Sequence, residues 1–136
     1  MKVIANVKRE PGEKNFSCYM NITELTTGVL GLGSSAKAAI NDMMSGWQDA
    51  VADFKDDGIE APELEIEYRF DVGSLFSFYD FVNIAGVARE IGINPSVMRQ
   101  YAIGTRKPST ERKAEIMTGF KRLALKMQNA VLLLFT

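Results

Sequence analysis

The stretch Ile84–Ser109, IAGVAREIGINPSVMRQYAIGTRKPS, is punctuated so often that neither a long helix nor a strand can run through it. Gly92 suits a tight turn, because left-handed backbone is cheap only for glycine. Asn94 can cap a helix, and Pro95 then occupies its first position, where a missing amide hydrogen costs nothing. Two short helices are predicted on either side of that turn. The first, Ala85 to Ile91, turns Val87, Ala88 and Ile91 inward, and Ala88 is small where a second helix must cross closely. The second starts at Pro95, turns Val97, Met98 and Tyr101 inward, and ends at Gly104.

The flanks carry longer periods. Ser109 caps a last helix with Ile116, Phe120, Leu123 and Met127 as its packing stripe, and Arg112, Lys113, Lys121 and Arg122 pointing outward. The outward set reads equally as DNA-facing charge or as a solvated helix face. The tail Ala130–Phe135 is continuously apolar and is expected to pair with a sheet edge or to pack across a subunit interface. Upstream, Leu75, Phe76, Phe78, Tyr79, Phe81 and Val82 could line a buried helix or continue a sheet. A cap at Asp71 and the spacing Leu75, Phe78, Tyr79, Val82 favour a helix over Asp71 to Val82.

Before Asp71 the dominant period is two. Val3, Ala5 and Val7 alternate with polar neighbours, Pro11-Gly12 marks a turn, and Phe16, Cys18, Met20 and Ile22 alternate again, which predicts two antiparallel strands. Val29 to Gly33 suits a third strand, loosened by Gly31 and Gly33. Ser34 or Ser35 then caps a long amphipathic helix through Ala36, Ala39, Ile40, Met43, Trp47, Ala50, Val51 and Phe54, stopped by Gly58. Leu64, Ile66, Tyr68 and Phe70 alternate with Glu63, Glu65, Glu67 and Arg69 as a half-buried strand. The expected fold class is α+β: residues 1–71 form a small antiparallel sheet covered by one long helix, its other face polar or paired, and residues 72–136 form an all-α domain with an apolar C-terminal tail.

Charge divides the chain the same way. Residues 1–83 hold seven basic residues against fourteen acidic ones, while residues 84–136 hold nine basic against three acidic. The basic half suits a polyanion and the acidic half a basic protein or solvent. The chain has no histidine and a single cysteine, Cys18, so a Ser-His-Asp triad, a Cys-His pair and a His-ligated or zinc-cluster metal site lack their ligands or bases. No cofactor and no metal are expected. Carboxylate chemistry through Glu24, Asp42 or Asp49 stays open on paper, but nothing in the sequence places them together, and a non-enzyme is the expectation. With no long apolar run and no charged-then-apolar leader at Met1-Lys2-Val3-Ile4, a soluble cytoplasmic protein without a membrane partner is expected.

Ala88, Gly92, Asn94, the Val97 to Tyr101 helix, Gly104, Arg106 and Pro108-Ser109 together resemble the lambda-repressor/Xre type of helix-turn-helix. The resemblance implies that the helix after Asn94 enters the major groove of double-stranded DNA. Ser96, Arg99 and Gln100, its outward residues, would then read base edges, with Arg99 suited to guanine and Gln100 to adenine. Asn94, Thr105, Arg106 and Lys107 would grip phosphates and set register.

The order strand, strand, strand, helix, strand, followed by a helix-turn-helix, resembles the HicB family of antitoxins. Tyr19, Gly31, Gly33, Ser34-Ser35, Ala36, Ala39 and Trp47 carry that resemblance in the first half. It implies a trimmed ribonuclease-H-like fold without catalytic acids, in keeping with a first strand that has no carboxylate between Lys2 and Arg9. It further implies that the acidic half blocks a small basic RNA-cleaving toxin, and that a homodimer or homotetramer represses its own operon at a palindromic operator. The alternative is a free-standing transcriptional regulator whose first half oligomerises or senses a ligand.

Overall fold

The computed structural model describes residues 1–135. The chain runs β1 (Lys2–Lys8), β2 (Phe16–Ile22), a 3-10 turn (Thr23–Leu25), β3 (Thr27–Gly33), α1 (Ala36–Asp56), β4 (Glu65–Phe70), α2 (Val72–Phe78), α3 (Ile84–Ile91), α4 (Pro95–Ile103) and α5 (Thr110–Gln128). Among the described residues this is an α+β fold with one four-stranded sheet and five α-helices, none long and apolar enough to cross a membrane.

The sheet has the order β3-β2-β1-β4. β1 pairs antiparallel with β2, Val7 opposite Cys18, and β2 antiparallel with β3, Cys18 opposite Gly31. β4 lies parallel to β1, with Val3 opposite Ile66 and Val7 opposite Phe70. The sheet is therefore mixed, which corrects the antiparallel sheet expected from the sequence. The cause is α1: a helix between two strands of one sheet returns the chain to the end it left, so β4 runs in the direction of β3 and hence of β1.

Alternation puts Val3, Ala5, Val7, Phe16, Cys18, Met20 and Ile22 on the covered face, against Ala36, Ala39, Met43 and Trp47 of α1. Ser35 starts that helix, its hydroxyl accepting from Ala38 N at 3.1 Å. The glycines of β3 do more than loosen the strand. A Cβ on Gly31 would overlap the backbone of Ala39 and Met43, and one on Gly33 would overlap Ala38 and Ala39, so both let the helix lie directly on the strand. Asp42 of α1 accepts from the β3 amide of Leu32 at 2.8 Å, satisfying a donor on the sheet edge.

The opposite face of the sheet, expected to be polar or paired, carries exposed apolar side chains. Ile4, Tyr19, Leu30 and Leu32 stand on it between 44% and 57% exposed, with Tyr19 directly opposite Leu30, beside the outward Glu65 and Glu67 of β4.

Asp71 ends the sheet and starts the helices. One carboxylate oxygen accepts from Ser74 N at 2.8 Å, capping α2, and the other accepts from Arg9 N at 3.1 Å. α2 stops at Phe78, short of the Val82 expected, because Asp80 and Phe81 fall in a turn where the next helix is capped by Asn83. Aromatic contacts carry packing across it: Phe70 lies 5.3 Å from Phe78, Phe78 5.0 Å from Tyr79 and Tyr79 5.4 Å from Phe120. Gly73 lets α2 approach α4, since a Cβ there would overlap Ala102 O. Beyond α2, Phe76, Val87, Ala88, Ile93, Met98, Tyr101 and Ile116 form a second core.

Along α5, Ile116 is buried and Phe120 and Leu123 are half-buried, but Met127 is exposed, which corrects the four-residue stripe. Met127 instead borders an open groove between α3 and α5, next to Lys126, which reaches Glu90 of α3 at 3.4 Å. The tail from Ala130 to Phe135 is exposed and joins no strand, so the sheet-edge pairing is corrected too.

Candidate nucleic-acid interface

Asn83 Oδ1 accepts from Gly86 N at 2.8 Å and opens α3, a cap that the sequence reading missed although an Asn two residues before Ala85 signals it. Gly92 ends α3 at φ +82, in the left-handed region, and Ile93 buries its side chain below the turn. Asn94 Oδ1 then accepts from Ser96 N at 2.8 Å and opens α4 with Pro95 in its first turn. Gly104 closes α4 at φ +92.

This geometry leaves one face of α4 uncovered. Met98 and Tyr101 are buried and Val97 is half-buried, whereas Ser96, Arg99 and Gln100 are exposed. Thr105, Arg106 and Lys107 follow immediately and are also exposed. Their loop is folded onto the helix by Gln100, whose carbonyl accepts from Gly104 N at 3.0 Å, Arg106 N at 3.4 Å and the Thr105 hydroxyl at 3.4 Å. One end of a short helix therefore holds in place both the outward side chains of α4 and the cations after it. Asn94 lies at the other end, exposed, with its carboxamide oxygen engaged in the cap and its amide nitrogen free to donate.

The cations differ in how they are compensated. Among the described residues, Arg99, Arg106, Lys107 and Lys113 have no carboxylate within 4.0 Å, while Arg112 pairs with Glu115 at 3.2 Å and Lys126 with Glu90 at 3.4 Å. Arg112, one of the outward residues of α5, is thus partly neutralised within its own helix.

A cleft of about 430 Å³ begins where α4 ends. Arg106, Lys107 and Lys113 line one side, and Lys8, Arg9 and Arg69 the other. A Cβ on Gly104 would lie 3.2 Å from Pro11 Cγ, so the end of α4 sits against the β1–β2 turn. Lys8, Arg9 and Arg69 belong to the acidic half, and only the fold brings them beside the loop. Lys8 and Arg69 are paired there with Glu10 and Glu67, at 3.1 and 2.7 Å, and the Arg9 guanidinium lies 4.5 Å over the Phe16 ring.

Of the carboxylates considered for catalysis, Asp42 holds the β3 amide and Glu24 accepts from Thr23 at 3.1 Å, and among the described residues no three acidic or thiol groups cluster to hold a metal ion. Cys18 is fully buried, 3.3 Å from the sulfur of Met43, and burial pushes its thiol up to about 11. No family model, curated protein or solved structure matches the chain.

Proposed function

We propose that the chain is a helix-turn-helix DNA-binding protein that acts as a homo-oligomer, with α3 and α4 as the motif and α4 as the helix entering the major groove. One observation carries this reading: α4 is packed by Met98 and Tyr101, capped at both ends, and leaves Ser96, Arg99 and Gln100 outward beside the uncompensated Arg106 and Lys107. Side chains of those types at the front of a short helix match hydrogen-bond patterns of base edges, and cations just past it match phosphates. Asn94 would add an amide donor to phosphate. Two copies would read half-sites about one turn of DNA apart, roughly 34 Å, so a palindromic operator is the expected target.

The first half supports a second role, that of a HicB-like antitoxin. An open sheet face bearing Ile4, Tyr19, Leu30 and Leu32, with Glu65 at its edge beside the Glu67–Arg69 pair, suits a basic protein partner, and a small RNA-cleaving toxin has that chemistry. In the alternative, a free-standing regulator, the same face pairs copies of the chain and no toxin gene lies nearby. Co-expression with the product of a short adjoining gene separates the two: a stable complex that silences ribonuclease activity is the antitoxin outcome.

The DNA reading is tested by binding to the protein's own upstream promoter against random competitor at two salt concentrations. Arg99→Ala is expected to cost about 1–3 kcal/mol of specific binding and to relax one operator position. Lys107→Ala is expected to weaken all sequences alike and to lower the salt slope by about 1. Identical effects of both changes on promoter and random DNA would overturn this division of roles.

A further inference from the structure

Two apolar features of the C-terminal helices lack a partner among the described residues. One is a groove of about 730 Å³ between α3 and α5, lined by Phe81, Val82, Val87, Phe120, Leu123 and Met127, with Phe81 itself 73% exposed. The other is the tail Val131–Phe135, whose five residues are 78–94% exposed. Five consecutive large apolar side chains in water form a patch that soluble chains ordinarily cover.

The tail does not lie in the groove of its own chain: none of Val131–Phe135 lines it. α3 and α4 end in left-handed glycines, Gly92 and Gly104. α5 ends at Asn129 in the right-handed region, φ −85 and ψ −3, and its amide and that of Ala130 bond back to Leu125 O and Met127 O at 3.3 and 3.1 Å. At the groove's rim Glu90 is paired with Lys126 at 3.4 Å and its carbonyl accepts from Arg122, while Arg89 has no carboxylate within 4.0 Å among the described residues.

We propose that Val131–Phe135 of one copy fills the α3–α5 groove of a second copy, and that the exchange is reciprocal. A twofold arrangement uses the same tail and groove on each chain, closes on itself and leaves neither exposed. Doubling the contact also moves the buried surface towards the roughly 1,200–2,000 Å² of stable interfaces. The groove involves no residue of α4, so both α4 faces stay uncovered in the pair. This deepens the homo-oligomer part of the proposed function and rests on that reading only for what the pairing serves.

The test is read without DNA. Cys18 is buried, so cysteines placed at Ala124 in the groove and Leu133 in the tail report alone. Under mild oxidation, a mixture of Ala124→Cys and Leu133→Cys chains is expected to give covalent dimers of twice 15.1 kDa that neither variant gives by itself. Chains carrying both changes are expected to cross-link between copies; an intrachain product, the tail in its own groove, overturns the proposal. Removing residues 131–136 is expected to halve the mass in sedimentation with an unchanged helical circular dichroism signal, and a shortened chain that stays dimeric overturns it as well. So does a full-length chain that sediments as a monomer at every concentration. A tail-dependent dimer that ignores promoter DNA would keep this inference and remove the DNA-binding reading, and a promoter-specific monomer would do the reverse.

Discussion

In the sheet-and-helix half, Ala5, Cys18, Met20, Ile22, Ala36, Ala39 and Met43 are wholly inaccessible, whereas in α3 to α5 only Ala88 and Met98 are, among the described residues. The first half closes a core from its own chain and leaves apolar side chains on one sheet face. The second half spreads its apolar groups along a groove and a tail, and among the described residues leaves Arg99, Arg106 and Lys107, on and just past α4, without a carboxylate partner. A core so tightly shut depends on shape, while helices so open depend on what comes to cover them, and the two should answer differently to the same small change.

Adding one methyl group to each half gives the largest contrast. Gly31→Ala would push a Cβ into the Ala39 and Met43 backbone, which cannot rotate away, and is expected to destabilise by about 3 kcal/mol in urea unfolding. A loss under about 1 kcal/mol would mean that α1 rides more loosely on β3 than the glycines imply.

A smaller effect comes from pH. Burial raises the Cys18 thiol from 9.0 to about 11 and raises Tyr68 in the same direction, by burial first and then by the Cys18 charge. A folded pKa above the unfolded value contributes stability that is complete below pH 9 and lost as pH climbs towards 11. For Cys18 alone the loss should be about 2 kcal/mol across that window. Cys18→Ala should flatten most of that slope. An unchanged slope would place the pH response outside this core.

The smallest effect has the opposite sign. At Gly86 in α3 an added Cβ meets only the Asn83 side chain, at ordinary distances of 3.5–3.8 Å, and φ is not positive, so Gly86→Ala should stabilise by about 1 kcal/mol through helix propensity. Destabilisation instead would show that the helices are packed as tightly there as the sheet is at Gly31.

What could be read from the sequence was local. Period-two alternation identified the inward residues of β1, β2 and β4, and Ser35, Asp71, Asn94 and Ser109 each cap the helix that was expected of them. What escaped was set by distant partners. Alternation says which face Ile66 occupies but not that it lies beside Val3 in a parallel pair. The spacing of Met127 continues the α5 stripe, yet it lines an open groove that no described residue fills. The outward residues of α4 were legible because their burial follows from one helix and its caps, whereas Lys8, Arg9 and Arg69 reach the neighbouring cleft only through the sheet.

The parallel edge also bears on how the chain is assembled in time. β1 sits inside the sheet, and its second neighbour, β4, is made only after β2, β3 and the whole of α1, with Lys2 facing Glu65 and the Met1 amine donating to Glu63 O at 3.0 Å. A contact that joins such distant points along the chain must close a long loop before it is rewarded, which slows folding. α3 to α5 meet neighbours close in sequence and can form quickly, but Asp71, which caps α2, also holds the amide of Arg9 at the end of β1. On a ribosome, the helices would thus emerge onto a sheet that has only just been completed, and a ribosome paused before β4 would hold three strands with one side of β1 still open.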